Sequence, residues 1–287
     1  MADKTIVDGA LGQLDAVARD YPEWRPWLAL YADALRASLE PLWENAVPEP
    51  APDRPSGTPL LHGTVVLLDP TPVSGWLQHL TERLAEAGTP DLAEAADRVV
   101  GLDPLRLLQA AVATDTQAIQ QLAAEVGVPD ERLAAIGNLT ALPFLQACGR
   151  RLGDGLPVPW ARGFCPICGA WPAAAERRGL ARERRLRCGR CGADWAAIAF
   201  WCPYCEHGQH RELGSLVPEE DGEARQVDIC RRCQGYVKSI ATLRGWSPAE
   251  VPVIDLATAD LDVAAVEQGY RRPAGAGYPL RLQLVAV

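Results

Sequence analysis

Eight of the nine cysteines in this 287-residue chain fall into four Cys-x-x-Cys pairs: Cys165/Cys168, Cys188/Cys191, Cys202/Cys205 and Cys230/Cys233. Two intervening residues let both sulfurs of a pair reach one metal ion from a tight turn, whose backbone amides can point at the sulfurs. Two such pairs make a tetrahedral tetrathiolate site with metal–sulfur distances of about 2.3 Å for zinc. Nineteen residues separate Cys168 from Cys188 and twenty-four separate Cys205 from Cys230, each interval suited to a β-hairpin that returns the chain to the metal. Only ten lie between Cys191 and Cys202, enough for one linking strand. The simplest pairing is sequential, Cys165, Cys168, Cys188 and Cys191 on one ion and Cys202, Cys205, Cys230 and Cys233 on the other. Tetrahedral sulfur suits zinc and iron alike. With all four positions closed by protein, neither site is expected to activate water. A redox dithiol fits less well, because a thioredoxin-like motif belongs to a βαβ unit.

The other reactive side chains offer little. Cys148 is expected to be a buried, inert thiol. His207 and His210 follow Cys205 and are alternative ligands only if a thiolate is missing. His62 and His79 have no visible partner in the sequence. No glycine-rich phosphate loop follows a strand, Gly-x-Ser-x-Gly is absent, and no carboxylate–histidine cluster has an active-site order. The expectation is a protein that is not an enzyme.

Two domains' worth of chain must position these pairs. Residues 24–42 carry Trp24, Trp27, Leu28, Tyr31, Leu35, Leu39 and Leu42 at helical spacing, predicting one buried helix face that Pro41 kinks or ends. The Pro-rich stretch 48–59 predicts a loop. Trp76, Leu77, Leu80 and Leu84 form a second stripe that stops at Gly88. Asp103 and Pro104 mark a third helix start, with a stripe from Leu107 to Leu122 closed by Gly127. Residues 129–136 and 139–152 read as two further helices around Gly137 and Asn138. The Gly- and Pro-rich segment 153–163 is the natural boundary. Beyond it, short alternating runs at 195–200 and 236–240 predict strands. Phe164, Trp171, Trp195, Phe200, Trp201 and Tyr204 are expected to fill two small cores around the metals. The tail shows one helix, 260–270, and a terminal strand within 278–287.

Charge follows the same division. Residues 1–159 hold 11 Lys+Arg against 22 Asp+Glu, residues 160–245 hold 14 against 10, and residues 246–287 hold 3 against 5, giving −11, +4 and −2 and summing to −9. A basic cysteine-rich segment raises nucleic acid as a partner, motivated by the arginine-rich run 177–190. Eight thiolates on two divalent ions add −4, however, which turns the surplus into local neutralisation. No run of 18 apolar residues is present and the first residues lack the form of a secretory signal, so a cytoplasmic protein is expected.

The cysteine segment and its flanks resemble the formate dehydrogenase accessory protein family, FdhE. The resemblance rests on GFCPICGAWP (163–172), RRLRCGRCGADWAAI (184–198), FWCPYCE (200–206), DICRRCQGYVKSI (228–240) and the tail VIDLATADLDVAAVEQGYRRP (253–273). One departure is Gln234 directly after the fourth pair, where the family often has Gly; here Gly235 comes one place later. The resemblance implies an α+β multidomain protein: an N-terminal all-helical domain (1–159), two tandem rubredoxin-like or zinc-ribbon-like metal-binding modules (160–199 and 200–245) and a C-terminal tail (246–287) packing on the body. It implies the eight paired cysteines as metal ligands, with iron favoured over zinc. It also implies a cytoplasmic maturation factor that binds the catalytic subunit of a respiratory formate dehydrogenase before export. A rubredoxin-type electron carrier and a nucleic-acid-binding zinc ribbon protein are the alternatives.

Overall fold

The structure, a computed structural model, describes residues 2–86, 98–218 and 222–287. Helices dominate up to residue 155: α1 (Ala2–Asp20), α2 (Arg25–Ala37), α3 (Pro41–Asn45), α4 (Pro70–Glu86), α5 (Pro104–Ala113), α6 (Thr116–Val126) and α7 (Asp130–Leu152). The helix start at Asp103 is as expected: its carboxylate accepts from the amides of Leu105 and Arg106 at 2.9 and 3.3 Å, with Pro104 at the first helical position.

Several boundaries differ from the expectations, each for a visible reason. The single stripe 107–122 is two helices, because Thr114 turns left-handed (φ 54°) and Asp115 caps α6 through the Ala118 amide at 3.0 Å. Helix α2 ends at Ala37, so Pro41 neither kinks nor ends it and instead opens α3. Of the tryptophans on that stripe, Trp27 is 43% exposed, while Leu28, Leu30 and Leu35 are buried. The two helices around Gly137 are one helix, α7. A Cβ on Gly137 would lie 3.2 Å from that of Ala111, so glycine here permits close packing on α5. Residues 139–149 of α7 are all buried, which makes it the central helix and erases an amphipathic signature. The stop at Gly88 lies outside the described residues.

The remaining strands form a six-stranded sheet in the order β4 (Asp194–Ala196), β3 (Glu183–Arg187), β2 (Ala174–Arg178), β7 (Gly235–Thr242), β6 (Arg225–Cys230), β5 (Leu213–Leu216). Neighbours are antiparallel except at the middle, where β2 and β7 run parallel with Ala174 opposite Lys238. That joint fuses two antiparallel ribbons into one sheet. Of the expected strand 195–200 only the first two residues lie in β4; 236–240 lies within β7. A strand inside the N-terminal part, β1 (Val65–Leu68), pairs in parallel with the terminal β8 (Gln283–Ala286) and was not expected. The tail has two helices, α8 (Glu250–Ala257) and α9 (Ala259–Glu267), rather than one. Lys238 on β7 is fully buried and bonds Asp255 of α8 and Asp262 of α9 at 2.7 Å each, so the tail is held by ion pairs as well as apolar contact. The architecture is therefore mixed helix and sheet, helical at its N-terminal part, with the cysteines in the C-terminal half.

Candidate metal centre

The structure brings the eight paired cysteines together as two groups of four, Cys165, Cys168, Cys188 and Cys191, and Cys202, Cys205, Cys230 and Cys233, with the sulfurs of each group within 4.8 Å of one another. The nearest sulfurs are 3.4 Å (Cys165–Cys191) and 3.6 Å (Cys168–Cys188) apart in the first group, and 3.6 Å (Cys202–Cys233) and 3.7 Å (Cys205–Cys230) in the second. A tetrahedron with metal–sulfur bonds of about 2.3 Å has edges of about 3.8 Å, so the donor sets fit a tetrathiolate ion.

Repeated backbone geometry creates the fit. In the first three pairs the first cysteine's amide donates to the carbonyl five residues on, and its carbonyl accepts from the amide four residues on. The two bonds measure 2.8 and 3.0 Å at Cys165, 3.0 and 2.9 Å at Cys188, and 2.9 Å twice at Cys202. Such a turn needs a left-handed residue after the second cysteine. Gly169 (φ 74°) and Gly192 (φ 73°) meet it without cost, while Glu206 (φ 58°) and Gln234 (φ 56°) meet it with a side chain. The departure at Gln234 therefore preserves the turn; its Nε2 donates to the Arg231 carbonyl at 2.6 Å. Gly235 is small for another reason, since a Cβ there would lie 2.6 Å from the Tyr204 ring.

The two groups differ in environment. The first is wholly buried, in a core shared with Trp43, Leu108, Phe144 and Cys148 of the helices. In the second, Cys205 and Cys233 are partly exposed. Burial pushes the Cys165 and Cys191 thiols well up, while bonds from Cys165, Cys168 and Cys191 hold Cys188 well below the usual thiol value. The Cys188 thiolate is thus favoured, while those of Cys165 and Cys191 are opposed by burial and by neighbouring sulfurs. A divalent cation would reverse that opposition. In the second group burial raises Cys202 and lifts Cys233 to about 11; burial opposes the Cys230 thiolate too, but the Cys233 and Arg232 amides together with the Cys233 and Cys205 sulfurs lower Cys230.

The other singled-out residues are not members of either four-cysteine group. Cys148 is fully buried, and burial pushes its thiol well up. His207 Nδ1 accepts from Arg232 Nη1 (2.8 Å), and His210 packs on Phe200 with ring centroids 4.5 Å apart. His79 has a partner that the sequence did not reveal, Asp33 at 3.1 Å, and His62 packs edge-on to Tyr278. Trp195 is buried and Tyr204 packs on Trp171, but Phe200 is 60% exposed and is no core residue. Nor is the positive charge of the cysteine segment gathered around the sulfurs. Arg178 and Arg185 pair with Asp194 at 2.7 and 2.5 Å, Arg182 with Glu223 at 2.6 Å, and the buried Arg187 with the buried Glu176. Carboxylates neutralise much of what the sequence assigned to thiolates.

A helical body bearing two fused antiparallel ribbons, with a group of four cysteines at the end of each, is the class of protein that fold and site define. No family model matches the chain. Among curated proteins it is 25% identical over 191 residues to an FdhE homolog of Aquifex aeolicus, covering 64% of this chain and 62% of that one. It is 34% identical over 114 residues to an FdhE homolog of Stutzerimonas stutzeri, covering 39% and 36%, and 31% identical over 117 residues to one of an Enterobacter species. The matches thus span less than two thirds of each relative's length. The crystal structure of the FdhE protein from Pseudomonas aeruginosa shares the fold over 94% of this chain and 93% of that one, with a TM-score of 0.57 at 22% identity. The chain is thus similar in sequence to FdhE homologs and in fold to an FdhE protein.

Proposed function

We propose that the chain is a non-catalytic, cytoplasmic maturation factor for a respiratory formate dehydrogenase, binding the catalytic subunit before its export. The observation that carries the reading is the pair of four-cysteine groups at the end of one shared sheet, in a chain whose curated relatives are FdhE homologs. Cys165, Cys168, Cys188 and Cys191 would hold one ion and Cys202, Cys205, Cys230 and Cys233 the other. Iron in such sites supplies one-electron chemistry and zinc supplies only shape. Whichever the metal, the knuckle amides stabilise the thiolates and the surrounding core excludes water from the first site. Among the described residues no helix is long and apolar enough to cross a membrane.

Tagged chain should retain the formate dehydrogenase catalytic subunit from extract, and deletion of its gene should abolish respiratory formate oxidation. Unchanged oxidation after deletion overturns the reading. The partial exposure of Cys205 and Cys233 supports a second reading, a rubredoxin-type carrier whose electrons pass at the second site. Elemental analysis with a visible spectrum separates the two: about two zinc ions and no colour leave the docking surface as the whole function.

A further inference from the structure

Where the two ribbons meet, a pocket of about 330 Å³ lies between one face of the sheet and the linker that joins them. Strands β2, β3 and β6 lend it Arg177, Arg184 and Asp228; the linker lends Phe200 and Trp201. In the register Arg177 stands opposite Arg184, so the two guanidinium stems project from the same face. Arg184 is only 7% exposed. Its Nη1 reaches the carbonyls of Ile198 and Trp201 at 3.1 and 2.9 Å and its Nη2 lies 3.3 Å from Asp228, yet its Nε has no partner. Arg177 is half-buried and makes no ion pair with a carboxylate among the described residues. Its Nη2 donates to the Glu223 main-chain carbonyl and its buried Nε has no partner. Burial holds its pKa below the usual guanidinium value.

Two arginines on one face of the sheet, each with a buried Nε that has no partner among the described residues, are an incomplete arrangement in a partly desolvated place, even with Asp228 and Glu223 acting on Arg177 through space. An oxyanion would complete both, since the guanidinium fork matches phosphate and carboxylate oxygens. Beside them the exposed Phe200 ring, braced by His210, offers a flat apolar surface unsupported by any core role. The volume lies within the range of small-molecule sites. We propose that this pocket binds a small molecule carrying an oxyanion on a flat ring, of which a nucleoside monophosphate is the simplest member. The oxyanion lies on Arg177 and Arg184 and the ring lies on Phe200. The inference goes beyond the maturation role and does not depend on it.

The test is isothermal titration of the purified, metal-loaded chain with AMP, adenosine and inorganic phosphate, with metal content measured before and after. AMP should bind saturably, and adenosine at least about tenfold more weakly. R177Q should weaken AMP and phosphate about tenfold. F200A, at an exposed position that leaves folding intact, should weaken AMP about fivefold and leave phosphate unchanged. No saturable AMP binding up to about 10 mM, or AMP binding equal in R177Q and the parent, overturns the proposal. Phosphate binding as tightly as AMP overturns the ring contact. All of these are read without any formate dehydrogenase, so a failure here leaves the maturation reading standing and the reverse also holds.

Discussion

Replacing Glu176 by Gln perturbs the most deeply buried charge pair in the sheet while keeping the side-chain volume. Glu176 on β2 is 0% exposed and Arg187 on β3 is 1% exposed. The carboxylate accepts from Arg187 Nη1, from Arg178 Nε at 2.7 Å and from the Trp246 amide at 2.9 Å. With the charge gone, the Arg187 guanidinium is left with neutral acceptors alone, the Gln side-chain oxygen and the carbonyls of Trp246 (2.7 Å) and Gly192 (3.0 Å). An uncompensated buried cation costs about 3–5 kcal/mol. At about 2–4 °C per kcal/mol for a chain of this size, the melting midpoint should fall by about 6–20 °C. Removing both charges, E176Q with R187Q, should cost less than the sum of the single changes by at least about 1 kcal/mol, because the orphaned cation is gone. The assay is a thermal melt followed by circular dichroism on the four proteins of the cycle. Since Arg187 also donates to Gly192 in the second knuckle, E176Q should hasten chelator removal of the ion at the first group and spare the other. E176Q within about 1 kcal/mol of the parent would refute the reasoning that Arg187 needs this buried carboxylate.

Cys168→Ser should leave about one metal ion per chain by elemental analysis, with the second group still loaded. In the parent, a chelator or thiol reagent should strip the partly exposed second group first; simultaneous loss would contradict the difference in burial. Gly149→Ala places a Cβ 1.7 Å from the Cys191 carbonyl oxygen, backbone against backbone, and should cost about 3 kcal/mol in denaturant unfolding. Glu250 works against its burial, but bonds from Arg244 and Ser247 hold its pKa down to about 2. A lowered carboxylate contributes stability above its unfolded pKa and loses it as pH falls through the folded one. E250Q should therefore be destabilised by about 2 kcal/mol at pH 7, with the gap to the parent narrowing below about pH 4.5.

What could be read from the sequence tracks how local the determining physics is. The four knuckles were legible because each is closed by bonds within six residues, and the sequential grouping because hairpin lengths are local too. The caps at Asp103 and Gly127 were legible for the same reason. Helix α7 was misread because its burial on all sides removes the periodicity, so Gly137 looked like a break when its contact is with Ala111 on another helix. Strand β1 was invisible because its partner lies more than two hundred residues away. The counter-ions of the arginine-rich run were misassigned because cross-strand pairing, not sequence proximity, brings Asp194 to Arg178 and Arg185. The pocket beneath Phe200 needs both ribbons in place and could not be anticipated from either.

The parallel joint between β2 and β7 determines what the molecule can present. Each ribbon is antiparallel and carries its knuckles at one end. Setting β2 and β7 side by side in the same direction brings all four knuckles to the same end of the sheet. The segment before the first knuckle then touches the third so closely that a Cβ on Gly163 would lie 1.7 Å from the Pro203 carbonyl oxygen. An antiparallel joint would have sent the two groups to opposite ends. The helices cover the first group, so of the two only the second meets solvent, through Cys205 and Cys233. At the far end the turns carry Leu180 and Leu243, 97% and 84% exposed. A partner that engages the cysteine end therefore reads the second group directly and the first only through the rigidity of the shared sheet. This makes the first group a fixture of the fold and the second the part able to report on, or respond to, what docks there.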